Sequence, residues 1–323
     1  MPRRSVHRAA AVFALLAALS GCDRLLDERA GERERALEAR YPAVGQFVEI
    51  DGIPVHARVA GQGPDLVLIH GASGNLRVFT HDLAARLEQD YRVFAFDRPG
   101  LGWSGDLGAA GISPIVQADV LRAAARELGA RNPVVLGHSY GGAVALAWAL
   151  RAPDDPAALV ILAGPSHTWP GERGAWTRLA ASEFGGATAV PAVTAFAPLS
   201  LADRLAARVF TPQSMPEGYV EDVAALLNLR RASLRTNARQ LNALKRHLEF
   251  MSPHYGSIRQ PVEILHGTAD GIVSLEYHAR RLAQDLPDAE LTLLEGVGHM
   301  PHHADPDAVV AAIHRAAQRA GLR

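Results

Sequence analysis

The 323-residue sequence predicts an α/β protein built on a mostly parallel sheet with helices on both faces. Three observations predict it. From Gln46 onward, short continuous apolar runs alternate with stretches of helical periodicity, the mark of strands buried on both sides. One run, Asn132–His138, passes into an alanine-rich stretch through the tight sequence Gly137-His138-Ser139-Tyr140-Gly141-Gly142. A proline-punctuated segment without strand character then interrupts the alternation, which resumes near the carboxyl end.

Composition narrows the function classes. Hydrophobic residues make up 48% of the chain and charged ones 21%, the balance of a globular domain with a sizeable core. A formal net charge of −1 gives no basic surface for a nucleic-acid partner. The amino terminus stands apart. Met1–Arg8 is basic, Ala9–Leu19 is an apolar run of eleven residues, and Leu19-Ser20-Gly21-Cys22 follows with the chain's only cysteine. The run suits a secretory signal and is short for a membrane span. The whole resembles a bacterial lipoprotein signal (1–21), with a lipidated Cys22 holding the protein to a membrane. Asp23 after the cysteine resembles the signal for retention at the periplasmic face of the inner membrane. An ordinary signal peptide with an incidental cysteine, or an uncleaved anchor, is the alternative. Residues 22–44, charged and rich in Ala and Leu, read as a solvated helical tether.

The elements follow in order. Gln46–Ile50 and Ile53–Ala60 read as strands joined by a hairpin at Asp51-Gly52. Further strands lie at Asp65–Gly71, Tyr91–Gly100, Asn132–Ser139 and Ala157–Gly164, separated by helices near Leu76–Gln89, Ile115–Leu128 and Ala143–Ala152. Residues 45–164 therefore form the first part of a core. Residues 165–255 carry helical runs near Gly174–Phe184, Leu199–Val209 and Val220–Phe250, broken by prolines. Residues 256–323 complete the sheet with Pro261–Gly267 and Ala289–Gly296, and add helices at Leu275–Leu286 and Asp305–Ala320.

Gly137-x-Ser139-x-Gly141 between a strand and a helix is a nucleophile-elbow pattern. Its glycines admit a turn tight enough to push Ser139 out over the sheet's end. Asp270 follows one later strand and His299 the next, so all three fall at the carboxyl-end rim. There His299 could act as general base and Asp270 could orient it. The backbone N–H groups of Ala72 and Tyr140 could form an oxyanion hole. His138 and His70 read as packing or loop-supporting residues, and Asp97 and Arg98 as holding their own loop. His299, His302 and His303 raise a metal site only weakly, because no H-E-x-x-H accompanies them. Trp169, Trp176, Phe184 and Tyr219 are candidates for an acyl pocket or for core packing.

With these motifs and Phe96–Ser104, "FDRPGLGWS", the chain resembles the α/β-hydrolase-fold superfamily over residues 45–320. The resemblance implies an eight-stranded sheet with a helical cap inserted after the sixth strand. It also implies an esterase-like serine hydrolase needing no cofactor and no metal, acting on small to medium apolar ester-like substrates. Haloalkane dehalogenases and epoxide hydrolases of this fold use an aspartate where this chain has Ser139. Lactonase, C–C bond hydrolase and cofactor-free haloperoxidase chemistries fit the same framework, and so does a non-enzymatic binding protein. Oligomeric state is left open.

Overall fold

The computed structural model describes residues 24–172 and 174–323; the expected signal and Cys22 lie outside the described residues. Eight strands form one sheet: β1 (Gln46–Ile50), β2 (Ile53–Ala60), β3 (Asp65–Ile69), β4 (Arg92–Phe96), β5 (Val134–His138), β6 (Ala158–Leu162), β7 (Val262–Gly267) and β8 (Ala289–Leu294). Their order is β1-β2-β4-β3-β5-β6-β7-β8. Only the β1–β2 and β2–β4 pairs run antiparallel; every pair from β4 to β8 is parallel. All five residues of each of β3, β5 and β6 are buried, as continuous apolar strands require.

Helices cover both faces. Numbered along the chain they begin with α1, residues 24–40, followed by α2 (Arg77–Thr80), α3 (Leu83–Leu87), α4 (Pro114–Glu127) and α5 (Tyr140–Arg151). Between β6 and β7 the described elements are all helical: α6 (Ala175–Ala181), α7 (Glu183–Ala187), α8 (Ala189–Phe196), α9 (Ser200–Phe210), α10 (Tyr219–Asp222) and α11 (Arg231–Met251), with short 3₁₀ turns. The chain closes with α12 (Ala279–Asp285), α13 (Pro301–Ala304) and α14 (Pro306–Arg319). One core lies between the sheet and α4 and α5, around Trp148, Phe94 and Phe96. The other lies under α2, α3 and α14, around Phe79, Leu68 and Ile313. Glu263 on β7, its side chain fully buried, is bridged by Arg315 and Arg319 of α14, which ties that helix to the sheet.

Two expectations need correction. The helical run read over Val220–Phe250 is broken, because buried Ala224 adopts a left-handed backbone (φ 50°) and Arg230 an extended one. The break turns Asn228 toward the loop after β3, where its side-chain amide donates to the Ser73 carbonyl. The second correction concerns the tether. Residues 24–40 do not stand in solvent; α1 is docked on the helical insertion. Ala30 and Leu37, seven residues apart and so on one face, are buried, and Leu37 and Tyr41 pack with Val220, Leu226, Leu227 and Leu229. The charges that suggested solvation are paired instead: Glu34 with Arg231 (2.7 Å), Glu38 with Arg230 (3.0 Å) and Arg40 with Glu221 (2.5 Å).

Burial pushes the Glu34 carboxyl up, but hydrogen bonds from Arg231 and its charge outweigh burial and hold Glu34 below the ordinary value. The Tyr41 hydroxyl, and then Arg40, hold Glu221 down against its partial burial. Both folded values lie below the unfolded one. Their contribution to docking is therefore complete above about pH 4.3 and is lost as pH falls through the folded values. Hydrogen exchange in α1 should rise below about pH 4 while β5 stays protected. Equal protection of α1 at pH 7 and well below pH 4 would show that these carboxylates do not hold it.

Candidate active site

Ser139 sits between β5 and α5 with φ 50° and ψ −123°, a strained conformation for a residue with a side chain. The surrounding sequence leaves no alternative. A Cβ at position 137 would overlap the Gly141 carbonyl, and one at 141 would overlap the Ile69 carbonyl. Crossing strand and helix this closely requires glycine at both.

The structure brings the three predicted side chains into one chain of hydrogen bonds. Ser139 Oγ lies 2.9 Å from His299 Nε2, and His299 Nδ1 lies 2.8 Å from Asp270 Oδ2. The carboxylate accepts from His299 Nδ1–H, so Nε2 is left as acceptor for the serine hydroxyl. Asp270 Oδ1 takes the N–H groups of Ile272 (2.8 Å) and Val273 (3.0 Å). Its side chain is fully buried. Burial raises the Asp270 pKa, but His299 and the two backbone donors outweigh it and keep the carboxyl below its usual range. An anion is thus fixed behind the imidazole, which can take a proton from Ser139 as the hydroxyl oxygen attacks.

His138 does more than fill the elbow. Its Nε2–H donates to the His299 carbonyl (2.9 Å), and burial lowers its pKa to about 3, so it stays neutral. His302 packs against it with ring centroids 4.5 Å apart. Among the described residues neither His302 ring nitrogen has a hydrogen-bond partner, and burial holds this histidine well below its ordinary value. Nor do three or more His, Cys, Asp or Glu side chains converge on a common point among the described residues.

The loop after β3 lies directly beside the serine: a Cβ on Gly71 would stand 3.0 Å from Ser139 Cβ. Ala72 follows Gly71 in this loop, and Tyr140 opens α5 directly after the serine. Arg98 was read as holding only its own loop, and the structure gives it wider reach. The guanidinium is fully buried and donates to the carbonyls of His70 (2.9 Å) and Gly71 (3.0 Å) and to Gln117 and Gln240 (both 2.8 Å). It also lies 4.3 Å over the Tyr140 ring. Burial lowers its pKa only to about 10, so it keeps its charge, and among the described residues no carboxylate pairs with it. Gly71 O also accepts from His70 Nδ1 (2.8 Å), whose Nε2 takes the Arg98 N–H (2.9 Å). The Gly71–Ala72 peptide is thus polarised from its carbonyl end, which strengthens the Ala72 N–H as a hydrogen-bond donor.

The helical insertion is clamped to both flanks of this site. Asn237 accepts the Ser73 N–H (2.8 Å), while Gln213 accepts from Gly298 N–H (2.8 Å) and donates to Gly296 O (2.9 Å). Tyr219 is buried against Phe210 and His303, and Trp169 packs on the core. Trp176 and Phe184, however, face outward and are 44% and 74% exposed; as candidates for a pocket lining they are set aside.

A family model described as the alpha/beta hydrolase fold matches residues 64–306. RutD of Escherichia coli O7:K1, provisionally named a carbamate hydrolase, is 33% identical over 254 residues, covering 76% of this chain and 87% of RutD. Among solved structures, an α/β-hydrolase-fold protein from Burkholderia ambifaria superposes with a TM-score of 0.68 at 24% identity, over 83% of this chain and 96% of that one. The esterase RhEst1 from Rhodococcus sp. ECU1013 superposes with a TM-score of 0.64 at 24% identity, over 84% and 98%.

Lysine at position 98 keeps the charge but cannot span four oxygens in two directions. Arg98→Lys should lower unfolding free energy by about 2 kcal/mol and slow fluorophosphonate labelling of Ser139 by about tenfold. A labelling rate equal to wild type would show that the guanidinium does not tune this loop.

Proposed function

The chain belongs to the α/β-hydrolase family, and on that premise we propose that it is a serine hydrolase cleaving carboxylic esters or related acyl bonds. The observation that carries the reading is the unbroken sequence of hydrogen bonds from Ser139 through His299 to Asp270. In this mechanism Ser139 Oγ attacks the acyl carbon as its proton passes to His299 Nε2. The carbonyl oxygen, now negative, is received by the N–H groups of Ala72 and Tyr140. His299 returns the proton to the departing alcohol, leaving an acyl-Ser139 ester. Water, deprotonated by the same imidazole, then releases the acid. Asp270 stays ionised and stabilises the imidazolium. No step in this cycle calls for a cofactor.

The helical insertion supports small to medium apolar substrates, because a cover over the site excludes water. Likeness to RutD favours a carbamate as a second acyl substrate; the same attack on a carbamate ester would expel its alcohol and leave carbamoyl-Ser139, from which water releases a carbamic acid that breaks down to amine and CO2. The sequence around Cys22 supports export and a lipid anchor at the periplasmic face of the inner membrane.

Ser139→Ala and His299→Ala should each lower kcat on p-nitrophenyl esters by about 10⁴–10⁶, with the double variant little worse. Asp270→Asn should cost about 10⁴. Near-normal turnover by Ser139→Ala, or turnover confined to lactones or C–C substrates in a parallel panel, would sink the ester reading. For the anchor, Cys22→Ser should move the protein out of the membrane fraction or stall its processing. Wild-type protein found soluble with no acyl mass on Cys22 would refute it.

A further inference from the structure

The outer edge of the helical insertion carries an apolar ridge bordered by arginines. Phe196, at the end of α8, is 62% exposed, Leu199 41% and Leu205 53%. Leu201, Arg204, Leu205 and Arg208 recur at helical spacing on the outer side of α9, while Ala202 and Ala206 turn inward to pack with the cluster under α1. The pair formed by Glu183–Phe196 and Ser200–Phe210 is as apolar as a membrane span, yet it bends by 102°, and no single described helix is long and apolar enough to cross a membrane. Such a bent, amphipathic surface pair suits a place in the interface plane.

What covers the ridge follows from where α1 begins. The Arg29 guanidinium lies 5.2 Å over the Phe196 ring, and Arg33 donates to the Ala197 carbonyl (2.5 Å). The amino-terminal half of α1 therefore runs along the α8–α9 junction, with Leu25 68% exposed. Arg29 is seven residues after Cys22, a reach of about 10 Å as helix and at most about 25 Å extended. A lipid on Cys22 would keep Arg29 and the ridge within that distance of the bilayer. Charge agrees: among the described residues Arg29, Arg204 and Arg208 have no carboxylate partner. Guanidiniums without a carboxylate partner beside exposed leucines match anionic headgroups above an acyl layer.

We propose that the ridge formed by Leu25, Phe196, Leu199 and Leu205, with Arg29, Arg204 and Arg208, docks the helical insertion onto an anionic phospholipid surface. The proposal goes beyond the hydrolase reading and takes only proximity from the anchor reading. It replaces the picture of a domain standing off on a tether. The chain leaving α9 continues through Thr211 and Gln213 to the segment that flanks His299, so the docked face is joined directly to one wall of the site.

The test uses the full chain in a Cys22→Ser background, which removes the only native thiol. Leu199→Cys is labelled with a polarity-sensitive fluorophore, and Glu127→Cys serves as the distal control. Each is mixed with phosphatidylglycerol–phosphatidylethanolamine vesicles carrying a lipid-phase quencher. The label at 199 should shift to the blue and be quenched at least about threefold more than the label at 127. Adding Arg204→Glu and Arg208→Glu should remove most of that difference. A label at 199 that stays water-like on vesicle-bound protein, or no vesicle binding at all, would overturn the proposal. So would shielding of that label without lipid that grows with protein concentration, which would assign the ridge to a second copy. Turnover of a soluble p-nitrophenyl ester by the same samples reports on the hydrolase reading separately.

Discussion

A single buried guanidinium holds the candidate site together. Arg98 sits where three parts of the chain meet: the loop after β3, α4 through Gln117, and the inserted α11 through Gln240. Removing a charge this deep from water is costly unless its donors are met by acceptors. Here four oxygens meet it and the Tyr140 ring lies against its face. The cost of burial is thereby converted into position. The carbonyls of residues 70 and 71 cannot drift without leaving a charged donor unmet in a dry interior, so the loop that runs beside Ser139 is held in place.

A second arrangement fixes the other side of the serine. Around His299 stand histidines that burial keeps neutral, and each serves by shape or by one donated bond rather than by charge. His138 holds the His299 backbone, and His302 fills the space behind it as a flat, nearly apolar plate. Asp270 is the group here whose buried charge matters, and two backbone N–H groups aim it. The environment thus separates one anion from several uncharged imidazoles, the division of labour that base-assisted attack requires.

Much of this was legible in the sequence, and for identifiable reasons. Continuous apolar strands and the glycines at 137 and 141 are local signals, because sterics within a few residues dictate them. Ser139, Asp270 and His299 each follow a continuous apolar run, which puts all three at strand ends. Arg98 was undervalued because its partners lie 19 to 142 residues away, and nothing in the sequence near an arginine tells which distant glutamine will face it. Residues 24–40 were misread for the opposite reason. Their charges are conspicuous, whereas the buried stripe consists only of Ala30 and Leu37, too sparse to outweigh them until the partner surface is known. Trp176 and Phe184 show that a large apolar side chain in a cap need not point inward.

The docking of α1 also bears on how the molecule is made. Glu34 emerges early from the ribosome, but its partner Arg231 lies 197 residues later. Through most of synthesis the amino-terminal helix has no surface to settle on, and closing so long a loop carries an entropy cost that local contacts avoid. Until then its buried face is exposed, and the insertion lacks one wall. A terminal segment held by Ala30, Leu37, Tyr41 and several ion pairs, outside the two main cores, belongs to the part of a fold that opens at low cost. The end of the chain nearest the expected anchor is therefore the end whose attachment to the rest is most readily undone.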